Sequence, residues 1–207
     1  ADNSLFFSIA PPPDKTPPKE IPYEVIYLGN AKSTNNSIKL SNGSKSISQY
    51  SLEKGLGIDF NILDTSLNSS KKAKNATEGS GFRVSWKASI GDTITFDYTF
   101  KSYDYAPYSD FSFYSINQNT YSLVALGEKN VSTGTTTGSF SHTVSAKEIT
   151  SNTSEMLNFS VGVVDVIDTY VNTFLKINKL SIKNDQIDDA PPPDKTPPSI
   201  KISSKSS

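Results

Sequence analysis

The chain has 207 residues, a formal net charge of -1, no cysteine and a hydrophobic content of 35%. Without cysteine, a disulfide framework, thiol catalysis and thiolate metal sites are excluded. The balanced charge, with no basic stripe along the sequence, argues against nucleic acid as a partner. No run approaches the ~20 apolar residues of a membrane span, so we expect no membrane insertion.

A nine-residue repeat divides the chain, since APPPDKTPP occupies residues 10–18 and again residues 190–198. Proline fixes φ and cannot donate to a sheet, so each copy is predicted to be a stiff spacer. The repeat indicates a linker that recurs in a long multi-domain array, with duplication inside one gene as the alternative. We therefore expect a tail and linker at 1–20, one folded domain at 21–184, and a linker with the start of a following module at 185–207.

The first half of the domain contains a predicted strand, a predicted hairpin and one helical pattern. Ile21–Leu28 is rich in strand formers, and Asn36–Leu40 with Ser44–Ser48 flanks an Asn-Gly turn, which predicts a hairpin. Apolar residues at steps of three and four then predict a short, broken helix that covers one end of the domain. That apolar face consists of Leu52, Leu56, Phe60, Leu63 and Leu67.

From Phe82 onward, apolar and polar residues alternate, which is typical of antiparallel strands with one face in the core. Further strand-like runs are predicted at Phe111–Ile116, Thr120–Leu126 and Ser139–Val144. Two more, Leu157–Val166 and Thr173–Ile182, flank a short acidic crossing. Eight to ten strands with one helix predict an all-β antiparallel jelly-roll β-sandwich with one short helix. An immunoglobulin-like sandwich is the alternative, although it is usually shorter and lacks such a helix.

Five motifs occur in order along the domain: GLGIDFNILDTSL, NATEGS, GDTITFDYTF, SDFSFYSI and FSVGVVDVIDTYVNTFLKINKLSI. In this order the chain resembles a family of secreted jelly-roll domains from large surface or exported proteins of cyanobacteria and other bacteria. The chain departs from that family at Ile177–Leu180, where the family often has Val-Asp-Asn-Val. The resemblance implies an extracellular or cell-surface location and an architecture similar to carbohydrate-binding modules.

Jelly-roll modules of surface proteins often hold a structural Ca²⁺ where loop oxygens meet at one rim, and Ca²⁺ needs six to eight of them. Four acidic residues near the family motifs are therefore candidate metal ligands. They are Glu78, Asp110, Asp165 and Asp168. The alternative is that these carboxylates accept hydrogen bonds from backbone N–H groups at strand ends and turns.

A tyrosine-rich loop, KSYDYAPYSDF, is the candidate ligand-binding segment. Its candidate residues are Tyr103, Asp104, Tyr105 and Tyr108. Tyrosine rings stack on sugar faces while carboxylates accept sugar hydroxyls, so the loop is predicted to bind a glycan. The alternative is that the rings cover the rim of the sheet or contact a neighbouring module.

No catalytic constellation emerges. His142 is the only histidine and has no serine and aspartate partners at a recognisable spacing, while Asp97 alternates onto a solvent face. We therefore expect no enzyme activity. The expected function is adhesion, with a glycan or another cell-surface polymer and the neighbouring modules as partners. The alternative is a structural spacer or filament subunit in which Ala1–Ile9 or Ser199–Ser207 pairs with a neighbouring sheet edge.

Overall fold

The computed structural model describes residues 19–65, 76–103, 108, 110–125, 134–149, 156–167 and 169–184. In these ranges the chain forms twelve strands and two short helices. The strands are β1 (Lys19–Glu20), β2 (Glu24–Leu28), β3 (Asn30–Thr34), β4 (Ser37–Ser41), β5 (Ile47–Ser48), β6 (Ala76–Trp86), β7 (Asp92–Ser102), β8 (Phe111–Ile116), β9 (Asn119–Ala125), β10 (Gly134–Thr143), β11 (Leu157–Val166) and β12 (Phe174–Asn184), and the helices are α1 (Gln49–Leu56) and α2 (Ile62–Thr65).

The strands form two antiparallel sheets, which confirms the predicted all-β sandwich. Sheet A has the order β10-β7-β12-β4-β3, with β1 paired to β12, and sheet B has the order β2-β6-β11-β8-β9, with β5 paired to β6. From β6 to β12 the chain passes repeatedly from one sheet to the other, which is the connectivity of a jelly roll. The runs β11 and β12 therefore belong to opposite sheets, and the acidic crossing between them spans the sandwich.

The alternating residues of the sequence define the core between the sheets. Phe82, Val84 and Trp86 of β6 are fully buried and face Phe100 and Ile94 of β7 in one apolar cluster. Because a strand directs successive side chains to opposite faces, burial of one set requires that the other set face outward. The period-two pattern in the sequence thus decides which side of each strand lies inside.

A second apolar cluster lies on the outer face of sheet B, where α1 packs against β6. Leu52 and Leu56 are fully buried there, next to Phe113 of β8. A Cβ atom on Gly81 would lie 3.3 Å from Leu52 and 3.4 Å from Leu56, so the glycine allows the helix to approach the sheet closely. The prediction that the helix covers an end of the sandwich was wrong, since it covers a face.

The helical segment is broken, as predicted. The Ser48 hydroxyl accepts a hydrogen bond from Ser51 N at the start of α1, and Gly57 ends it in the left-handed conformation at φ 73°. The predicted single apolar face does not hold throughout: Leu63 is buried, but Phe60 is 58% exposed, because α1 ends at Gly57 and Phe60 lies in the turn before α2. Leu67 lies outside the described residues. No helix in the described ranges is long and apolar enough to cross a membrane.

The hairpin predicted around the Asn-Gly pair was wrong. Strand β4 instead pairs with β3 through a tight turn at residues 35–36, while β5 pairs with β6 in the other sheet. The Asn42 side chain is 1% exposed and forms hydrogen bonds across the end of the sandwich. Those bonds explain why the chain changes sheets at this point instead of turning back along β4.

The short strand β1 runs beside the end of β12, with Lys19 opposite Asn184 and Glu20 opposite Lys183. Strand β7 pairs with the same residues of β12 from the other side. Strand β1 therefore lies on the same side of β12 as β4, further along the strand. The chain therefore enters and leaves the domain at adjacent points of sheet A. The linkers and terminal segments at 1–18 and 185–207 lie outside the described residues.

Candidate functional site

Three of the four predicted metal ligands lie at one end of sheet B. Asp110 precedes β8 and Asp165 lies near the end of β11, and both side chains are fully buried. Glu78 of β6 is half-buried and lies opposite Ser48 of β5. Asp168 lies outside the described residues. The sequence therefore located these three carboxylates at a common end, although it did not predict that two of them are completely buried.

Asp110 joins the two sheets through three hydrogen bonds. Its Oδ1 atom accepts from Val166 N of sheet B at 3.0 Å. Its Oδ2 atom accepts from Asn42 Nδ2 at 2.7 Å and from Thr173 Oγ1 at 2.6 Å, and these two residues adjoin the ends of β4 and β12 in sheet A. Thr173 N in turn donates to Asn42 Oδ1 at 2.6 Å. This geometry matches the alternative interpretation of Asp110, in which a carboxylate satisfies buried donors at strand ends.

In the described ranges, no group of three or more Asp, Glu, His or Cys residues is close enough together to hold a metal ion. The backbone of Asp165 also connects β11 to β6, because its carbonyl accepts a hydrogen bond from Thr77 Oγ1 at 3.3 Å. Calcium needs several oxygen ligands at once. The calcium site with Asp168 as a ligand stays a prediction.

The tyrosine loop is described at its two ends. Tyr103 is 44% exposed, and the Lys101 Nζ atom lies 4.7 Å from the centre of its ring, which is a cation–π contact. Tyr108 is partly exposed. Asp104 and Tyr105 lie outside the described residues. Glycan binding by this loop therefore stays a prediction. Tyr103 lies immediately after the end of β7.

A groove of about 680 Å³ opens where the edges of the two sheets separate, at a place the sequence did not indicate. Tyr23, Val25 and Tyr27 form one wall on the side of sheet B, and the two tyrosines are 39% and 42% exposed. The opposite wall comes from sheet A. Its residues are Ser33, Thr34, Asn35, Asn36, Ser37, Ile38, Asp97, Ile177, Asn178, Lys179 and Leu180.

The groove exists because, on the side of β12 that faces β4 and β1, neither strand pairs with β12 over a few residues. Strand β4 pairs with β12 as far as Asn178, and β1 pairs with it from Lys183 onward. Between these points β12 is irregular, and Lys179 adopts a positive φ of 54°. A bulge of this kind turns side chains and peptide groups out of the regular ladder. Ile177–Leu180, which include this bulge, therefore form part of the groove wall on the side of sheet A.

Asp97 and Lys179 are the charged residues among those that line the groove. The Asp97 carboxylate accepts a hydrogen bond from Ser139 Oγ at 2.7 Å and lies 3.2 Å from Lys179 Nζ. The Ser139 hydrogen bond, followed by the bond from Lys179, lowers the pKa of Asp97 below its ordinary value of 3.8. Asp97 therefore stays a carboxylate at neutral pH, and its solvent-facing position is as predicted.

His142 lies in a different environment. Its Nε2 atom is 2.8 Å from Glu148 Oε1, and Glu148 Oε2 accepts a hydrogen bond from Ser145 N at 2.7 Å. This arrangement connects the end of β10 to the turn that follows it. A role in holding that turn accounts for the contacts of His142 without any catalytic function, and the expectation that the chain is not an enzyme stays a prediction.

The fold and the groove together define an all-β jelly-roll module with an open, mixed polar and aromatic cleft. No protein-family model matches the chain, and no curated protein is similar to it. The family resemblance of the five motifs stays a prediction.

Proposed function

We propose that this chain is a non-catalytic, extracellular module of a large repetitive bacterial surface protein, and that it acts in adhesion by binding a glycan. The groove between β2 and the bulge of β12 carries this proposal. Two half-exposed tyrosines face hydroxyl, amide and carboxylate groups across a cleft of about 680 Å³. Such a cleft matches a sugar, which presents apolar ring faces and polar edges at the same time.

Each wall of the groove has a distinct role in this proposal. Tyr23 and Tyr27 offer ring faces for stacking, while Asn35 and Asn178 can both donate and accept hydrogen bonds. Asp97 accepts bonds from sugar hydroxyls in its charged form. The tyrosine loop is a second candidate surface for the same class of ligand.

The test is binding of the full chain to a glycan array, followed by calorimetry on the ligands that it finds. We expect dissociation constants in the millimolar to micromolar range. Tyr27→Ala removes one stacking face and should weaken binding about tenfold. Tyr50→Ala is the matched control, because Tyr50 is 59% exposed and does not line the groove. A blank array would refute the proposal, and equal loss in both variants would refute the groove as its site.

The proposal includes one structural Ca²⁺ at the end of sheet B that carries Asp110, Asp165 and the following crossing. Its support is the burial of two carboxylates at one end. A melting curve in Ca²⁺ should lie above one in a chelator if the ion is bound, because a ligand that binds only the folded state stabilises it. Identical melting curves would remove calcium from the proposal.

A structural spacer or filament subunit is the second candidate, and the pairing of β1 with β12 favours it. Because the chain enters and leaves at adjacent points, each domain would project sideways from a proline-rich stem. Assembly by the terminal segments predicts polymers whose size rises with concentration in analytical ultracentrifugation. A monomer at every concentration would argue against assembly.

A further inference from the structure

The outward face of sheet A brings together lysines that are far apart in the sequence. Lys32 of β3 lies directly opposite Lys39 of β4, and Lys39 lies directly opposite Lys176 of β12. All three side chains are exposed. Neighbouring strands are about 4.8 Å apart, so the three lysines form a row roughly 10 Å long. We call these three residues the lysine row.

The surroundings of the lysine row extend its positive charge and add hydroxyl groups. Across the sheet the row continues through Thr99 of β7 to Thr137 of β10. Lys101 lies two residues from Thr99 on the same face, diagonal to Lys176. Long side chains on diagonal neighbours can reach each other. The face therefore presents four cations beside threonine hydroxyls that can donate and accept hydrogen bonds.

The lysine row is unfavourable for the fold itself. Like charges directly opposite each other on neighbouring strands destabilise a sheet. Lysines on an edge strand do protect a sheet from pairing with other chains, but only Lys32 belongs to an edge strand. Lys39 and Lys176 lie on interior strands, so protection of the edge does not account for them.

The described residues supply no carboxylate to neutralise the lysine row. Among the described residues of this face, Asp97 lies one row further along and is engaged by Ser139 and Lys179. None of the three lysines forms an ion pair with another described residue, and the chain as a whole has a net charge of -1. The positive charge is therefore local to this face.

We propose that this face binds an acidic polysaccharide, one whose sugars carry carboxylate or sulfate groups. The inference rests on the proposed glycan function and specifies the ligand class. The row's length is about that of a disaccharide, so charged groups on successive sugars can each meet an ammonium group. The neighbouring threonines bind the free hydroxyls. Lys101 also holds Tyr103 beside this face, which adds a ring for stacking.

The next row across sheet A leads from the lysines into the groove. It contains Asp97, Asn178, Ser37 and Thr34, which are opposite one another in register and line the groove. A polymer bound along the lysine row can therefore continue into the groove without leaving the surface. A nucleic acid is disfavoured, because the row contains no arginine, the side chain whose planar group binds a phosphate through two hydrogen bonds.

The experiment compares the full chain with two double variants. Lys39→Gln/Lys176→Gln removes two charges of the row, and Lys87→Gln/Lys147→Gln removes two exposed lysines elsewhere. Binding is measured by calorimetry at several salt concentrations with polygalacturonate, dextran sulfate, neutral dextran and a DNA duplex. We expect binding to at least one acidic polysaccharide that weakens as salt rises. The row variant should bind it about tenfold more weakly, and the control variant should bind it as the unaltered chain does.

A second readout separates binding from folding. Because the row repels itself, Lys39→Gln should melt about 1–2 °C higher than the unaltered chain at low salt. Row variants that are more stable but bind the acidic polysaccharide more weakly would support the inference that these lysines serve ligand binding and not stability. Equal losses in both double variants, or tighter binding of DNA than of either acidic polymer, would overturn the inference. Binding of neutral dextran alone, lost in Tyr27→Ala, would also overturn it while leaving the proposed glycan function intact. No binding to any glycan would overturn both.

Discussion

Asp110 offers the sharpest test of how the two sheets are held together. Asp110→Ala would remove the carboxylate that accepts from Val166 N, Asn42 Nδ2 and Thr173 Oγ1. Thr173 Oγ1 would keep its contact with Ser102 Oγ at 3.0 Å, so Val166 N and Asn42 Nδ2 are the donors that lose this acceptor. Each buried donor that loses its partner costs about 1–3 kcal/mol. Part of this cost is recovered by relaxation and by water, so we expect a loss of about 3–5 kcal/mol in the free energy of unfolding. A domain of this size should then melt about 10 °C lower.

Asp110→Asn should be milder. The amide oxygen can still accept from Val166 N, but its NH₂ group would face both Asn42 Nδ2 and Thr173 Oγ1. The Thr173 hydroxyl can turn to accept, whereas Asn42 Nδ2 is only a donor. We expect a loss of about 1–3 kcal/mol in the free energy of unfolding, since the hydrogen bond from Asn42 Nδ2 is the one that is lost outright.

The assay is urea unfolding followed by the fluorescence of Trp86, the single tryptophan, which is fully buried. Asp59→Ala serves as the control, because that residue is exposed and should change stability by less than about 0.5 kcal/mol. A loss below about 1 kcal/mol for Asp110→Ala would show that the carboxylate does not join the sheets as described. Running all variants with and without Ca²⁺ also shows whether the effect of the substitution depends on the ion.

Two further predictions concern other carboxylates. Glu53 is 1% exposed and accepts hydrogen bonds from Asn61 N and Leu63 N. Glu53→Ala should therefore cost about 2–4 kcal/mol in chemical denaturation, and an unchanged midpoint would contradict this role. For Asp97, a folded pKa below 3.8 means that its stabilising contribution is complete above that pH and is lost as the pH falls through the folded value. Carboxyl NMR should place the midpoint below 3.8, and Ser139→Ala should raise it; a midpoint above 3.8 would refute the assignment.

Local patterns predicted the strands and their faces well. The alternation from Phe82 onward gave β6 and β7 with their buried sides, and β11 was predicted with the bounds that the structure has. The prediction failed at the Asn-Gly pair, since a strong turn signal was overridden by the hydrogen bonds of the Asn42 side chain. Turn propensity is local, whereas those bonds come from residues that are 68 and 131 positions away.

The candidate site was predicted only in part. The acidic residues were found because they lie at predicted strand ends near the five motifs, and Tyr103 was found because tyrosines cluster in its loop. The groove was not found, because Tyr27 and Lys179 approach each other only through the open position beside β12. Nothing in the spacing of those residues along the chain signals that approach.

By itself, then, the sequence determined that the chain forms strands and which side of each strand is apolar, because side chains alternate along any extended backbone. Tertiary structure alone decided which strands are neighbours and in what register. The lysine row depends on that decision: Lys32, Lys39 and Lys176 are separated by 7 and 137 residues and meet because β3, β4 and β12 pair without a shift at those positions. Register follows from burying the apolar faces of both sheets together, so it is a property of the whole sandwich and of no single segment.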